Sequence, residues 1–179
     1  LEQDWEVQTH ELKSRIEFTR YLEAPKSAPL NLRAFFTVQG GEPRFHQLLL
    51  LDKKDRPLFA YRKEGPLSNP LGANETSTWF SDPDNDMVYR VFLEPVWLGG
   101  DGVGKMLVFF PLDNALLHQL ASPGVMLSAR YQNKMVSSSQ GSALLNQLME
   151  KPDAMERREL HWTGAPDDPL TLVIDAPIK

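Results

Sequence analysis

The sequence contains no cysteine. That removes thiol nucleophiles, cysteine-ligated zinc and disulfide frameworks together, and it is compatible with an oxidising compartment. No apolar run approaches the ~18–20 residues of a membrane span. The longest, residues 48–51 and 106–112, are the size of strands. Basic charge is also in short supply: 19 Lys and Arg stand against 24 Asp and Glu, a net charge of -5. With a pI near 5.4, the chain offers no positive field for a phosphate backbone, and nucleic acid is not expected as a partner. There is no signal-peptide pattern. The chain opens on Leu1 without an initiator Met, which leads us to expect a processed chain or an excised fragment.

What is present is ordinary for a globular protein. Hydrophobic residues make up 41% and charged residues 24% of 179 positions, unlike a disordered chain. A chain of this length makes one domain or two small modules and buries ~70% of its unfolded surface, so no metal or disulfide is needed to hold it folded.

Residues 1–23 contain neither Gly nor Pro and carry Leu1, Trp5, Leu12, Ile16 and Thr19 at helical spacing. Acidic residues come early and basic residues late, so the segment reads as one amphipathic helix ended before Pro25. At ~1.5 Å per residue it spans about 35 Å. A shorter helix is expected from the Asn31 cap to Gly40. Residues 45–51 and 57–61 form a predicted hairpin around Asp52-Lys-Lys-Asp55, and 63–77, rich in Pro, Gly and Asn, form a loop or lid. Strands follow at 87–97 and 105–112. Asp113 caps a helix that runs to Ala121, with Leu116, Leu117 and Leu120 on its buried side. A second hairpin, 125–131 with 135–139, precedes a helix at 142–151 and closing strands at 156–162 and 170–174. The order of helix, hairpin, connection and paired strands occurs at 31–112 and again at 113–179. The chain therefore divides either into a helix at 1–30 and two modules, 31–112 and 113–179, or into a helix and one domain, 31–179. In both cases the fold class is α+β with mostly antiparallel strands.

Several motifs invite chemistry and lack what it requires. Gly99-Gly-Asp-Gly-Val-Gly104-Lys105 fills a phosphate-loop pattern, but Met106 stands where magnesium needs Ser or Thr, and a strand-like run follows where a helix is needed. The glycines read instead as a hairpin. Asp82, Asp84 and Asp86 have the spacing that opens a calcium loop, yet Met87 and Leu93 occupy the Gly and Glu positions. The four histidines, His10, His46, His118 and His161, form no metal-binding pair, and no Gly-x-Ser-x-Gly elbow is present. No metal, cofactor or catalytic residue is expected.

A binding group is the stronger reading. Alternation along 87–95 places Arg90 on one face with Val88, Phe92 and Glu94, and Tyr89 on the other with Val91 and Leu93. An arginine among aromatic side chains suits a ligand carboxylate, or it simply pairs with a neighbouring acid. Tyr61, Trp79, Tyr89, Arg90 and Trp97 are the candidate ligand-binding residues. Trp5, Leu12, Ile16 and Thr19 are the candidate dimer stripe.

Leu48-Leu-Leu-Leu-Asp52-Lys-Lys-Asp55-Arg-Pro-Leu-Phe-Ala-Tyr61 resembles the first hairpin of extracytoplasmic PAS-like sensor domains of the Cache and CHASE type. Gly104-Lys-Met-Leu-Val-Phe-Phe-Pro-Leu-Asp113-Asn-Ala-Leu-Leu-His-Gln-Leu120 is similar to their later strand and helix start. Met126-Leu-Ser-Ala-Arg-Tyr-Gln-Asn-Lys-Met-Val-Ser-Ser138 resembles a further hairpin of the same kind. The turn departs from the pattern, with Asp55 where glycine is common. The resemblance implies the ectodomain of a membrane-tethered bacterial receptor, such as a sensor histidine kinase or a cyclic-di-GMP enzyme. Such a domain would be homodimeric through its first helix, bind a small molecule or a periplasmic protein, and have no enzymatic activity of its own. The alternatives are a periplasmic adaptor without a small-molecule pocket and an uncharacterised hydrolase.

Overall fold

The computed structural model describes residues 1–22, 44–63, 78–82, 87–99, 102–121, 125–132, 134–138, 155–161 and 170–177. Among these the chain is α+β and mostly strand, with two helices and two antiparallel sheets. The helices expected at 31–40 and 142–151, the loop at 64–77 and the acidic turn at 83–86 lie outside the described residues.

Helix α1 spans Glu2–Leu22. Trp5, Thr9 and Ile16 are buried along one side and Leu12 is half-buried. These positions recur every three or four residues, as a helix with one covered face requires. The polar member of the row is satisfied within the helix, since the Thr9 hydroxyl donates to the Trp5 carbonyl at 2.8 Å. Val7 and Phe18 on α1 remain 58% and 62% exposed.

Strands β1 (Gln47–Leu51), β2 (Pro57–Arg62), β3 (Thr78–Asp82), β4 (Met87–Trp97) and β5 (Val103–Pro111) form a sheet in the order β2-β1-β5-β4-β3. All five β1 residues are buried, as expected where both faces of a sheet are covered. Leu48 opposes Tyr61 on β2 and Val108 on β5, whereas Gln47 opposes Arg62 and Phe109. Side chains directly opposite share a face, so these registers separate a Leu48 face from a Gln47 face. Strand β3 was not expected from the sequence. Its run Thr-Trp-Phe-Ser-Asp is short and follows a stretch of turn residues that masks its β-propensity.

The turn between β1 and β2 is organised by Asp52. Its carboxylate accepts from the backbone amides of Lys54 and Arg56 at 2.8 and 3.0 Å and from the Arg56 side chain at 2.8 Å. Asp55, at φ 59°, takes the left-handed conformation that glycine usually supplies. Gly99 and Gly102 fall between β4 and β5, at φ 73° and 83°. Gly104 is already in β5, where a β-carbon would collide with the Leu51 carbonyl and the Leu98 side chain. Turn geometry and close strand approach account for these three glycines.

Helix α2 (Asn114–Leu120) is capped as the sequence predicts, with the Asp113 carboxylate accepting from the Leu116 amide at 2.8 Å. Its buried side is narrower than expected. Leu117 is fully buried, Leu116 is half-buried and Leu120 is 45% exposed, because a two-turn helix offers little more than one position to its neighbour. Strands β6 (Met126–Tyr131), β7 (Lys134–Ser138), β8 (Met155–His161) and β9 (Leu170–Pro177) form the second sheet, in the order β7-β6-β9-β8. One of its faces carries ion pairs. Arg157 grips the buried Asp175 on the opposing strand at 2.7 Å. Arg130 reaches across β9 to Glu159 at 3.3 Å.

The chain divides into two compact units. One comprises 1–80 with 90–110, the other 81–89 with 111–179.

Candidate functional site

In the first unit, α1 lies on the Leu48 face of the sheet. Trp5 stacks on Phe110 with ring centroids 5.3 Å apart and planes at 17°. Further along, Lys13 pairs with Glu94 at 3.7 Å and the Glu17 carboxylate accepts from the Trp97 amide at 2.8 Å. Trp5, Lys13 and Glu17 thus meet β5 and then successive positions of β4, so the helix is held along its length.

Phe92 packs edge-on against Phe110 at 5.7 Å and 87°. The strand period then brings Arg90 to the same side. Its guanidinium carbon sits 5.3 Å from the Phe92 ring centre and 5.7 Å from that of Trp79 on β3, within the range of cation–π attraction. Trp79 and Phe92 are buried and Arg90 is half-buried. β3 is an edge strand, so this cluster sits at a margin of the sheet. An arginine held between aromatic rings has its N–H donors directed in the guanidinium plane, which suits it to a planar anion.

Of the five expected ligand-binding residues, the structure brings Trp79 and Arg90 together. Tyr61 is half-buried on β2, the opposite edge strand, and packs edge-on against Phe45 at 5.7 Å. Four strand spacings of ~4.8 Å put β2 about 19 Å from β3. Trp97 is 41% exposed at the far end of β4. Tyr89 belongs to the second unit, where it is fully buried and its hydroxyl donates to the Met87 sulfur at 3.3 Å. Of the expected dimer stripe, Trp5 and Ile16 are buried within their own unit, Leu12 is half-buried, and the side chain of Thr19 lies outside the described residues.

Two features escaped sequence reasoning. Phe92 and Phe110 link Arg90 to α1, a contact that depends on β4 and β5 being neighbours. On the Gln47 face, the fully buried Gln47 amide oxygen accepts from Arg62 at 2.9 Å, and Phe109 meets Phe80 edge-on at 6.3 Å. Alternation in β1 would have put Gln47 with Leu49 and Leu51, but its partner is set by register. No helix among the described residues is long and apolar enough to cross a membrane, and these residues contain no group of three or more His, Asp or Glu side chains placed to hold a metal.

No protein-family profile matches the sequence, and no curated protein matches it. The fold is similar to the crystal structure of the extracellular domain of a protein assigned as a histidine kinase, rpHK1S-Z16. The TM-score is 0.50 at 12% identity, over 98% of this chain and 86% of that one. At that identity the likeness is one of fold.

Proposed function

We propose that this chain is the extracytoplasmic sensing domain of a membrane-tethered bacterial receptor, a sensor histidine kinase or a cyclic-di-GMP enzyme. The observation that carries the reading is the fold likeness, over nearly the whole chain, to the extracellular domain of a protein assigned as a histidine kinase. The hairpin and strand–helix patterns that resemble Cache and CHASE sensors support it independently. In this reading the ligand occupies a site that includes Trp79 and Arg90, and the domain itself carries out no chemistry.

Sensing operates by population shift. A ligand moves the equilibrium between two arrangements only by its difference in affinity for them, typically ~1–3 kcal/mol. The natural moving part is α1, which meets β4 through two polar contacts that a ligand could shift, Lys13 with Glu94 and Glu17 with the Trp97 amide. A homodimer through α1 would use Val7 and Phe18, because Trp5 and Ile16 are already buried within the chain.

The test is to read the gene on both sides of these 179 codons. Apolar spans of ~20 residues on each side, followed by a kinase or cyclase domain, are expected. A cleavable signal peptide before residue 1 and a stop codon soon after residue 179 would overturn the receptor reading.

A further inference from the structure

We infer that the outer edge of β8 is a docking site for an extended segment of another protein, which joins the second sheet as an added strand. Read from its N-terminus, that segment carries an apolar, an acidic and a basic residue at alternate positions. The inference rests on this sheet alone. Under the receptor reading it makes the sensed partner a periplasmic protein.

The edge is open and straight. β8 ends the order β7-β6-β9-β8, so one side of its backbone faces no strand among the described residues. Such an edge presents a row of N–H and C=O groups that templates a further strand. Edges are commonly blunted by a bulge or a proline, and two others here are. The β1–β2 ladder shifts register at Leu50/Leu51, and β2 starts on Pro57. The β6–β7 ladder shifts at Ala129/Arg130. β8 instead pairs with β9 from Met155 to His161 without a shift, and it contains neither Gly nor Pro. Its side chains 156–160 are all exposed, on both faces. Strand addition requires an edge of this kind.

The charges on β8 select the partner. Glu156, Arg158 and Leu160 share one face, and Arg157 and Glu159 the other. The second face is compensated across the sheet, Arg157 by Asp175 at 2.7 Å and Glu159 by Arg130 at 3.3 Å. On the first face Arg158 and Glu156 bind each other along the strand at 2.8 Å, with side chains 70% and 56% exposed. A solvated pair of that kind contributes little and reopens readily. A strand running antiparallel to β8 meets Leu160 first, then Arg158, then Glu156. Opposite charges directly across a ladder stabilise it and like charges oppose it, so the favoured segment reads apolar-x-acidic-x-basic.

A second copy of β8 fits poorly. Antiparallel pairing of identical strands places a two-fold axis through the sheet, where one residue faces its own copy. With the axis at any position from 156 to 159, that residue is charged and meets a like charge.

The probe is the blocked peptide acetyl-Thr-Val-Thr-Glu-Thr-Lys-Thr-amide, which sets Val, Glu and Lys opposite Leu160, Arg158 and Glu156. It is titrated to millimolar concentration into the isotope-labelled 179-residue chain, with amide shifts and hydrogen exchange followed by NMR. We expect shift changes and slowed exchange along β8. The peptide with Glu and Lys interchanged should bind about tenfold more weakly, since two cross-strand pairs turn from attractive to repulsive. The Glu156→Arg, Arg158→Glu double variant should reverse that preference. N-methylation of alternate peptide amides should abolish binding in one of the two alternations, because it removes the donors that face β8. Failure of the peptide to bind, binding that leaves β8 exchange unchanged, or tolerance of both N-methylated series would overturn the docking site. Equal binding of the two charge patterns, or a preference that the double variant does not reverse, would overturn the partner chemistry. Slowed β8 exchange that grows with chain concentration in the absence of peptide would place a second copy there and overturn the assignment to another protein. None of these outcomes touches the receptor reading, which the flanking gene decides separately.

Discussion

Trp5 of the N-terminal helix and Phe110 at the end of β5 stack nearly parallel, 5.3 Å between ring centres, and both are buried. Helix α1 is therefore part of the sheet's core and not a free stalk.

Replacing Trp5 by Ala should destabilise the protein by about 3–5 kcal/mol, the usual cost of emptying a buried aromatic site. Trp5→Phe should cost much less. Urea unfolding would measure both. A Trp5→Ala variant as stable as the parent would show that the helix does not dock in solution.

Gly102, before β5, and Gly104, within it, should separate by mechanism. Gly102→Ala meets no atom within 4 Å but sits at φ 83°, so it should cost about 1–2 kcal/mol of backbone strain. Gly104→Ala drives a β-carbon into the Leu51 carbonyl and should cost more, because backbone must move. Thermal melting of the two variants side by side tests the order, and a more stable Gly104→Ala would refute it.

The Asp52 turn should leave a signature in pH. Hydrogen bonds from the Arg56 side chain and backbone, opposed by burial and aided by the Lys54 amide, lower its carboxyl from 3.8 to about 2. A carboxyl whose folded value lies below its unfolded value adds stability above the unfolded value and loses it as pH falls through the folded one. The stability gap between the parent and Asp52→Asn should be full above about pH 4 and close between about pH 4 and pH 2. A gap constant across that window would mean the ion pair with Arg56 does not form.

Val7 and Phe18 should govern self-association and not folding. They lie three helical turns apart on one side of α1, opposite the buried row, and among the described side chains of the helix interior they are the large apolar ones left exposed. Sedimentation of a Val7→Lys, Phe18→Lys double variant should show a shift toward monomer with an unchanged melting temperature. A dimer that persists would place the interface elsewhere.

Local signals were legible in the residues alone because their physics is local. Helical spacing and the absence of Gly and Pro located α1. Short apolar runs bounded by polar turns located β1, β2 and β5, and alternation assigned the two faces of β4. The Asp113 cap needed only its own neighbours, as did the Asp52 turn. Strand β3 was missed because five residues beside a long polar loop carry too weak a period. The exposure of Leu120 was missed because helical spacing names a face without telling how much of it a neighbour covers.

The candidate site was half legible for the same reason. Alternation along β4 placed Arg90 and Phe92 on one side and Tyr89 on the other. That Trp79 reaches Arg90, while Tyr61 and Trp97 stand elsewhere, depends on strand order, and strand order is decided by which chain segments pair across long separations. The sequence by itself determined the α+β class, most of the strands, the turn chemistry and the acidic, cysteine-free character of the chain. Only the tertiary structure decided that Trp5 faces its own sheet and that one arginine lies between two rings, since a helix stripe or a strand face carries no label for its partner until non-local pairing supplies one.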